Sequence, residues 1–178
     1  MPVYTQTIGA GVDTVFWQRS GNFVSDTLAS GYWQGGVIWE SCLHFSSVPI
    51  RREAIIVSAT LAINVSEIIG GTPTLKVHGE DADNPATVAS RASGEARVRT
   101  TAYTTWSPPS TGEKTIDIKT AIQEIVDRAG WSYGNALNIL IDNSFTGNPT
   151  RLVKAESYAT YDRTLTITTY GPPQIQIF

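Results

Sequence analysis

The chain has 178 residues, 41 % hydrophobic and 16 % charged, with a formal net charge of −3 and a pI near 5.3. That length suits one domain of ~100–200 residues, and the charge content lies below the ~25 % of ordinary globular chains. No stretch concentrates Lys or Arg, which excludes a phosphate-tracking nucleic-acid footprint; no apolar run approaches the ~18 residues of a membrane-spanning helix; and a single cysteine, Cys42, excludes an intrachain disulfide.

The opening Met1-Pro2-Val3-Tyr4-Thr5-Gln6 has neither the basic nor the apolar region of a secretory signal. It reads as the start of a chain made in a host cytoplasm that stays there or leaves as part of an assembly. Alternating hydrophobicity then predicts strands over Val37 to Phe45, Ile55 to Val65, Thr74 to His78, Ala96 to Trp106, Ala136 to Ile141, Arg151 to Glu156 and Thr164 to Tyr170. In the strongest of these, Ile55, Val57, Ala59, Leu61, Ile63 and Val65 are expected on one face, with Ser58, Thr60, Ala62 and Asn64 on the other. Gly70-Gly71-Thr72-Pro73, Asp83-Asn84-Pro85, Ser107-Pro108-Pro109, Gly147-Asn148-Pro149 and Gly171-Pro172-Pro173 punctuate the strands as turns.

One segment changes period. Ile118, Ala121, Ile122, Ile125, Val126 and Ala129 form a helical stripe, predicting a helix over about 118–129. Asp117 or Thr120 is its expected N-cap, Gly130 its left-handed terminator, and Glu124 pairs with Arg128 one turn on. Such a helix is expected to cover an open end or edge of the sheets. The fold class is therefore all-β, a jelly-roll-like antiparallel β-sandwich with one short amphipathic helix. It occupies residues 1–170 as a single domain, and 171–178 form a tail. Within that tail, Ile175, Ile177 and Phe178 alternate with glutamines, either as a last edge strand or as a strand donated to a neighbouring subunit.

Several groups of residues invite a chemical reading. Arg91, Arg97 and Arg99 are expected on a solvated face of a Thr-rich strand. Cys42 is expected as a small buried hydrophobe. His44 and His78 share no metal-ligand spacing with Cys or Asp. Glu80-Asp81-Ala82-Asp83-Asn84 places carboxylates where calcium can be wrapped, without the glycine and distal glutamate of an EF-hand loop. Asp26, Glu40, Asp117 and Glu156 are the carboxylates from which a glycosidase pair would come, and the sequence favours no two of them. Among Trp17, Trp33, Trp39, Trp106, Trp131, Tyr32, Tyr103, Tyr133, Tyr158 and Tyr161, most are expected in the core. Trp33, bracketed by Gly31-Tyr32 and Gln34-Gly35-Gly36, is the most loop-like and the best candidate, with Tyr32, for a sugar-stacking or interface position.

Leu43-His44-Phe45, Val48-Pro49 and Ile55-Ile56-Val57-Ser58-Ala59-Thr60-Leu61 resemble a strand, connection and strand of the DNRLRE-type domains, jelly-roll modules of bacterial surface and phage virion proteins. Trp106, Ile116-Asp117-Ile118 through Gln123-Glu124-Ile125-Val126, Gly134-Asn135-Ala136-Leu137, Ala155-Glu156-Ser157-Tyr158 and Arg163-Thr164-Leu165-Thr166-Ile167 continue the likeness in order over roughly 37 to 170. Where that pattern has a glycine before the second strand, this chain has Arg52 or Glu53. The resemblance implies a non-enzymatic, adhesive or structural role. It gives two expectations: a virion structural protein of a tailed phage, chiefly a head decoration or cement protein contacting capsid or tail subunits, or a carbohydrate-binding module or adhesin contacting surface glycans.

Overall fold

The computed structural model describes residues 3–7, 14–19, 21–25, 27–33, 36–143, 150–155 and 163–170. Period-two hydrophobicity becomes antiparallel sheet throughout. The strands are β1 (Val3–Thr7), β2 (Thr14–Gln18), β3 (Phe23–Ser25), β4 (Leu28–Trp33), β5 (Val37–Phe45), β6 (Ile55–Ile69), β7 (Leu75–Glu80), β8 (Arg99–Trp106), β9 (Gly112–Asp117), β10 (Leu137–Asn143), β11 (Arg151–Ala155) and β12 (Thr164–Tyr170). The two helices are α1 (Arg91–Glu95) and α2 (Lys119–Val126). Neighbours run β1-β12-β6-β11-β4-β5-β10-β7-β8, while β9 pairs with β6, β2 with β5 and β3 with β2. The sheet curls into a jelly-roll-like sandwich. The long β6 serves successive partners: β12 along Ile55 to Ala62 and β11 along Val65 to Ile69.

Leu43, Phe45, Leu61, Ile63, Val77, Ile139, Ile141, Leu165 and Ile167 meet in the main core between the curled layers. α2 closes one side of it, packing on β8, β6 and β7 and burying Ala121, Ile122, Ile125 and Val126. Its polar face also satisfies strand edges. Gln123 accepts from the Ile56 amide at 2.8 Å and donates to the Ala54 carbonyl at 3.0 Å. The Glu124 carboxylate accepts from the amides of Thr101 and Ala102 at 2.8 and 2.7 Å. The helix thus occupies edge groups that would otherwise template another strand.

A second, smaller core lies on the outer face of β5 and β10. Val15, Trp17, Cys42, Val88 and Leu140 gather there, with Phe23 packed against them. The segment between β7 and β8, with α1 inside it, roofs this core. A Cβ on Gly94 of α1 would stand 2.8 Å from the Trp17 ring, so only glycine permits that approach. Because β10 is covered on both sides, Leu137, Ile139 and Ile141 face one core and Leu140 the other, and Asn138 is buried with them.

Four sequence expectations are corrected. The helix is shorter than 118–129, capped at Ile118 and Asp127, and Asp117 supports its start by accepting from the Lys119 amide. Gly130 is not left-handed; its Cβ would lie 2.1 Å from Asp83, so a close approach requires the glycine. Ala96 to Val98 lie outside the strand, whose first residue is Arg99. The inward row of β6 holds from Ala59 to Val65, but a register shift opposite Thr168 and Thr169 places Ile56 inside and leaves Ile55 and Val57 exposed.

Candidate functional site

The outer face of β5, β10 and β7 carries a connected set of charges. Glu40, from β5, has a side chain only 1 % exposed. Its Oε1 accepts from Arg19 Nη2 at 2.6 Å and Nε at 3.1 Å, and its Oε2 from the Trp17 indole at 3.2 Å. Arg99, at the head of β8, stands 3.7 Å from the same carboxylate and bridges Asp142 of β10 through two bonds of 2.8 and 3.1 Å. The hydrogen bond to Glu40 holds the Arg19 guanidinium above its ordinary pKa. Burial opposes the charge on Arg99, but the hydrogen bond and charge of Asp142 together with the charge of Glu40 outweigh it, so this group is also raised.

One strand over, Glu80 at the end of β7 receives Arg97 at 3.0 Å and the Asn138 amide at 2.7 Å. Asn138 thereby turns its carbonyl oxygen toward His44 Nδ1, 2.8 Å away, which assigns the proton to that ring nitrogen. His78 likewise places Nδ1 3.0 Å from the Thr100 carbonyl. Arg97 also donates to the carbonyls of Ser93 and Thr87, tying α1 and its flanks to the sheet. Arg91 donates to the Arg19 carbonyl at 2.8 Å. The three arginines expected on a solvated strand face are thus placed otherwise. Arg91 lies in a helix, and Arg97 and Arg99 are mostly buried between layers. An open cleft of about 430 Å³ reaches this network between Arg19, Glu40 and Glu95.

The acidic run that offered the best candidate for calcium is held by other partners. Asp81 and Asp83 both accept from Arg128, which leaves Arg128 unpaired with Glu124, contrary to expectation. Asn84 accepts from the Ala136 amide at 2.7 Å, and Glu80 turns inward to Arg97. An arginine already supplies the positive charge that a cation would bring. Among the described residues, no three His, Cys, Asp or Glu side chains converge as metal ligands. Of the glycosidase candidates, the two described are held apart in separate roles: Glu40 is bound to Trp17 and Arg19, and Asp117 supports the start of α2; Asp26 and Glu156 lie outside the described residues. Cys42 is fully buried, and burial pushes its thiol well above the ordinary value, as suits an inert core residue.

The aromatic expectations divide. Trp17, Trp106 and Trp131 are buried, and the Trp131 indole donates to the Ile50 carbonyl at 2.9 Å. Trp39 is half-buried and stacked on Phe16 with ring centres 4.9 Å apart. Trp33 ends β4, opposite Val37 in the hairpin, and is 38 % exposed; Tyr32 beside it is half-buried. Tyr103 and Tyr133 are exposed, with the Lys76 ammonium 4.5 Å from the Tyr103 ring centre. Tyr158, Tyr161, Ile175, Ile177 and Phe178 lie outside the described residues.

The outer face of β12 and of β6 from Ser58 to Asn64 carries hydroxyl, amide and small side chains, with the acidic Glu113 and Asp117 along its β9 margin. Thr5, Thr166, Thr60 and Asp117 stand in one register row, and Thr164, Ala62 and Thr115 in the next. Among the described residues, no helix is long and apolar enough to cross a membrane. Compared with protein-family models and with curated proteins, the chain matches none.

Proposed function

We propose that the protein is a non-enzymatic structural component of a virion, a head decoration or cement protein of a tailed phage, acting through surface contacts with neighbouring subunits. The observation that carries this reading is the use made of the polar side chains. Glu40, Glu80, Asp81, Asp83 and Asp142 each hold an arginine brought from another part of the chain, and the outward rows of β6 and β12 present hydroxyl, aromatic and aliphatic groups. A curled sheet with parts of β6 and β8 satisfied by helix side chains is a body suited to repeated contact on a symmetric shell, where many weak interfaces add through avidity.

The resemblance to DNRLRE-type domains supports the placement in virions. Glu53 adopts φ 59°, a left-handed conformation that glycine favours, close to where that pattern has glycine. Mass spectrometry of purified particles tests the proposal: the chain is expected at a stoichiometry set by the shell, and its absence from particles would refute the virion role.

The partly exposed Trp33 favours a second reading, a carbohydrate-binding surface, because an accessible indole offers a stacking plane to a sugar ring. Under that reading, Trp33→Ala abolishes retention on a glycan array while circular dichroism shows the protein still folded. An array blank for the unaltered protein rules this reading out.

A further inference from the structure

The irregularity in β6 leaves an apolar patch that the core does not use. Ile55 is 62 % exposed, Tyr170 63 % and Val57 38 %. Ile55 and Tyr170 are directly opposed partners of β6 and β12, so their side chains share one face. Without the register shift, Ile55 and Val57 would continue the buried row of Ala59, Leu61, Ile63 and Val65. The shift instead gives the inward place to Ile56, which is 1 % exposed. Bulges of this kind re-aim side chains. Here two β-branched apolar residues are turned outward beside an exposed tyrosine.

The segment that follows Tyr170 matches that patch in chemistry. Gly171-Pro172-Pro173-Gln174-Ile175-Gln176-Ile177-Phe178 has no charged side chain and has alternating apolar side chains after its prolines. The sheet face next to the patch, Ser58, Thr60, Thr166 and Thr168, carries no charge either, so an incoming neutral strand meets neither repulsion nor a charge to desolvate.

We infer that residues 174–178 of one chain seat on the Ile55–Val57–Tyr170 patch of a second copy, reciprocally about a two-fold axis. Two features favour a second copy over the same chain. Pro173 is ill suited to the third position of a type I turn, and it pushes Pro172 toward extended backbone, so the tandem prolines disfavour a tight reversal onto the patch just left behind. The segment also leaves from the patch itself, so a two-fold axis beside Tyr170 carries each segment toward the other copy's patch and makes both contacts at once. The inference rests on the surface-contact reading but not on any particle, so purified protein tests it.

Sedimentation velocity at tens of micromolar would compare the full chain, a chain ending at Tyr170, and Ile55→Asp, with circular dichroism checking that each is folded. The full chain is expected to sediment as a dimer or larger, and both variants as monomers. If Ile55→Asp fails to fold, Tyr170→Ser replaces it. A fluorescent peptide of residues 171–178 is expected to bind the truncated chain and to lose at least tenfold in affinity when Tyr170→Ser is added. A monomeric full chain, an oligomer that survives both changes, or a peptide that does not bind overturns the inference. Absence of the chain from virions would refute the particle role and leave these outcomes untouched.

Discussion

Glu40→Ala is expected to lower the stability of the fold by about 4 kcal/mol, within the range for removing one partner of a buried charge pair. Its carboxylate is the acceptor for the Trp17 indole and for Arg19, and it lies within 4 Å of Arg99. Removal orphans a buried indole N–H and leaves the mostly buried Arg99 with Asp142 as its one carboxylate partner, beside the carbonyls of Arg97 and Gly94. Arg19, half exposed, turns to water and contributes little to the loss. For a chain of this size, the change corresponds to a fall of roughly 8–16 °C in melting temperature. Glu40→Gln retains an acceptor for Trp17 and is expected to lose about 1–2 kcal/mol. Denaturant titration of both variants checks the order; equal losses would mean that the neutral acceptor kept by glutamine contributes nothing beside the charge.

Gly31→Ala is expected to be at least as damaging. Gly31 sits in β4 at φ +134°, a conformation closed to L side chains, and an added Cβ would lie 2.2 Å from the Arg151 carbonyl oxygen of β11. Strain and forced separation of β4 from β11 each cost about 1–3 kcal/mol, and the strand cannot shift without breaking its pairing with β5. Gly36→Ala is the matched control. Gly36 is also left-handed, at φ +86°, but nothing lies within 4 Å of the added atom. It is expected to cost about 1–2 kcal/mol from conformation alone. A Gly31→Ala protein as stable as Gly36→Ala would show that β4 and β11 do not approach as described.

Strands bounded by turn residues were legible even where both faces are buried, as in β10, and short strands lacking both bounds and alternation were not. β5 and β12 match their predicted ranges because alternation and turn residues bound them. β4 was missed because Leu28, Ala29, Ser30 and Gly31 are all buried and give no alternation. β2 fails in the same way, with Trp17 under α1 and Phe16 against Trp39. α1 has five residues and no apolar stripe; its one signal is the capping box of Ser90 and Ser93, with serine where glutamate is usual. The helix at 118–129 was legible because six apolar residues share its stripe, but the partners of Glu124 and Arg128 were not. Both reach residues distant in sequence, Thr101 and Ala102 for one, Asp81 and Asp83 for the other.

The charge network shows the same limit. Arg97 and Arg99 looked solvated because nothing local pairs with them, while their partners Glu80 and Asp142 come from β7 and β10. A usable signal was present in Glu40: a lone carboxylate in the middle of the apolar run from Val37 to Phe45 needs a buried cation or donor. The bulge in β6 left no trace in the sequence, since Ile55 and Val57 fit the inward row as well as the residues that occupy it.

The proposed cementing role requires this sheet to bind a larger assembly and hold it together. Particles that lack the chain, heated with and without purified protein added back, test it most directly through the temperature at which they release their contents. The account predicts that added protein binds to saturation and raises that temperature. Particles that bind none, or that bind it and release at an unchanged temperature, would contradict a cementing role.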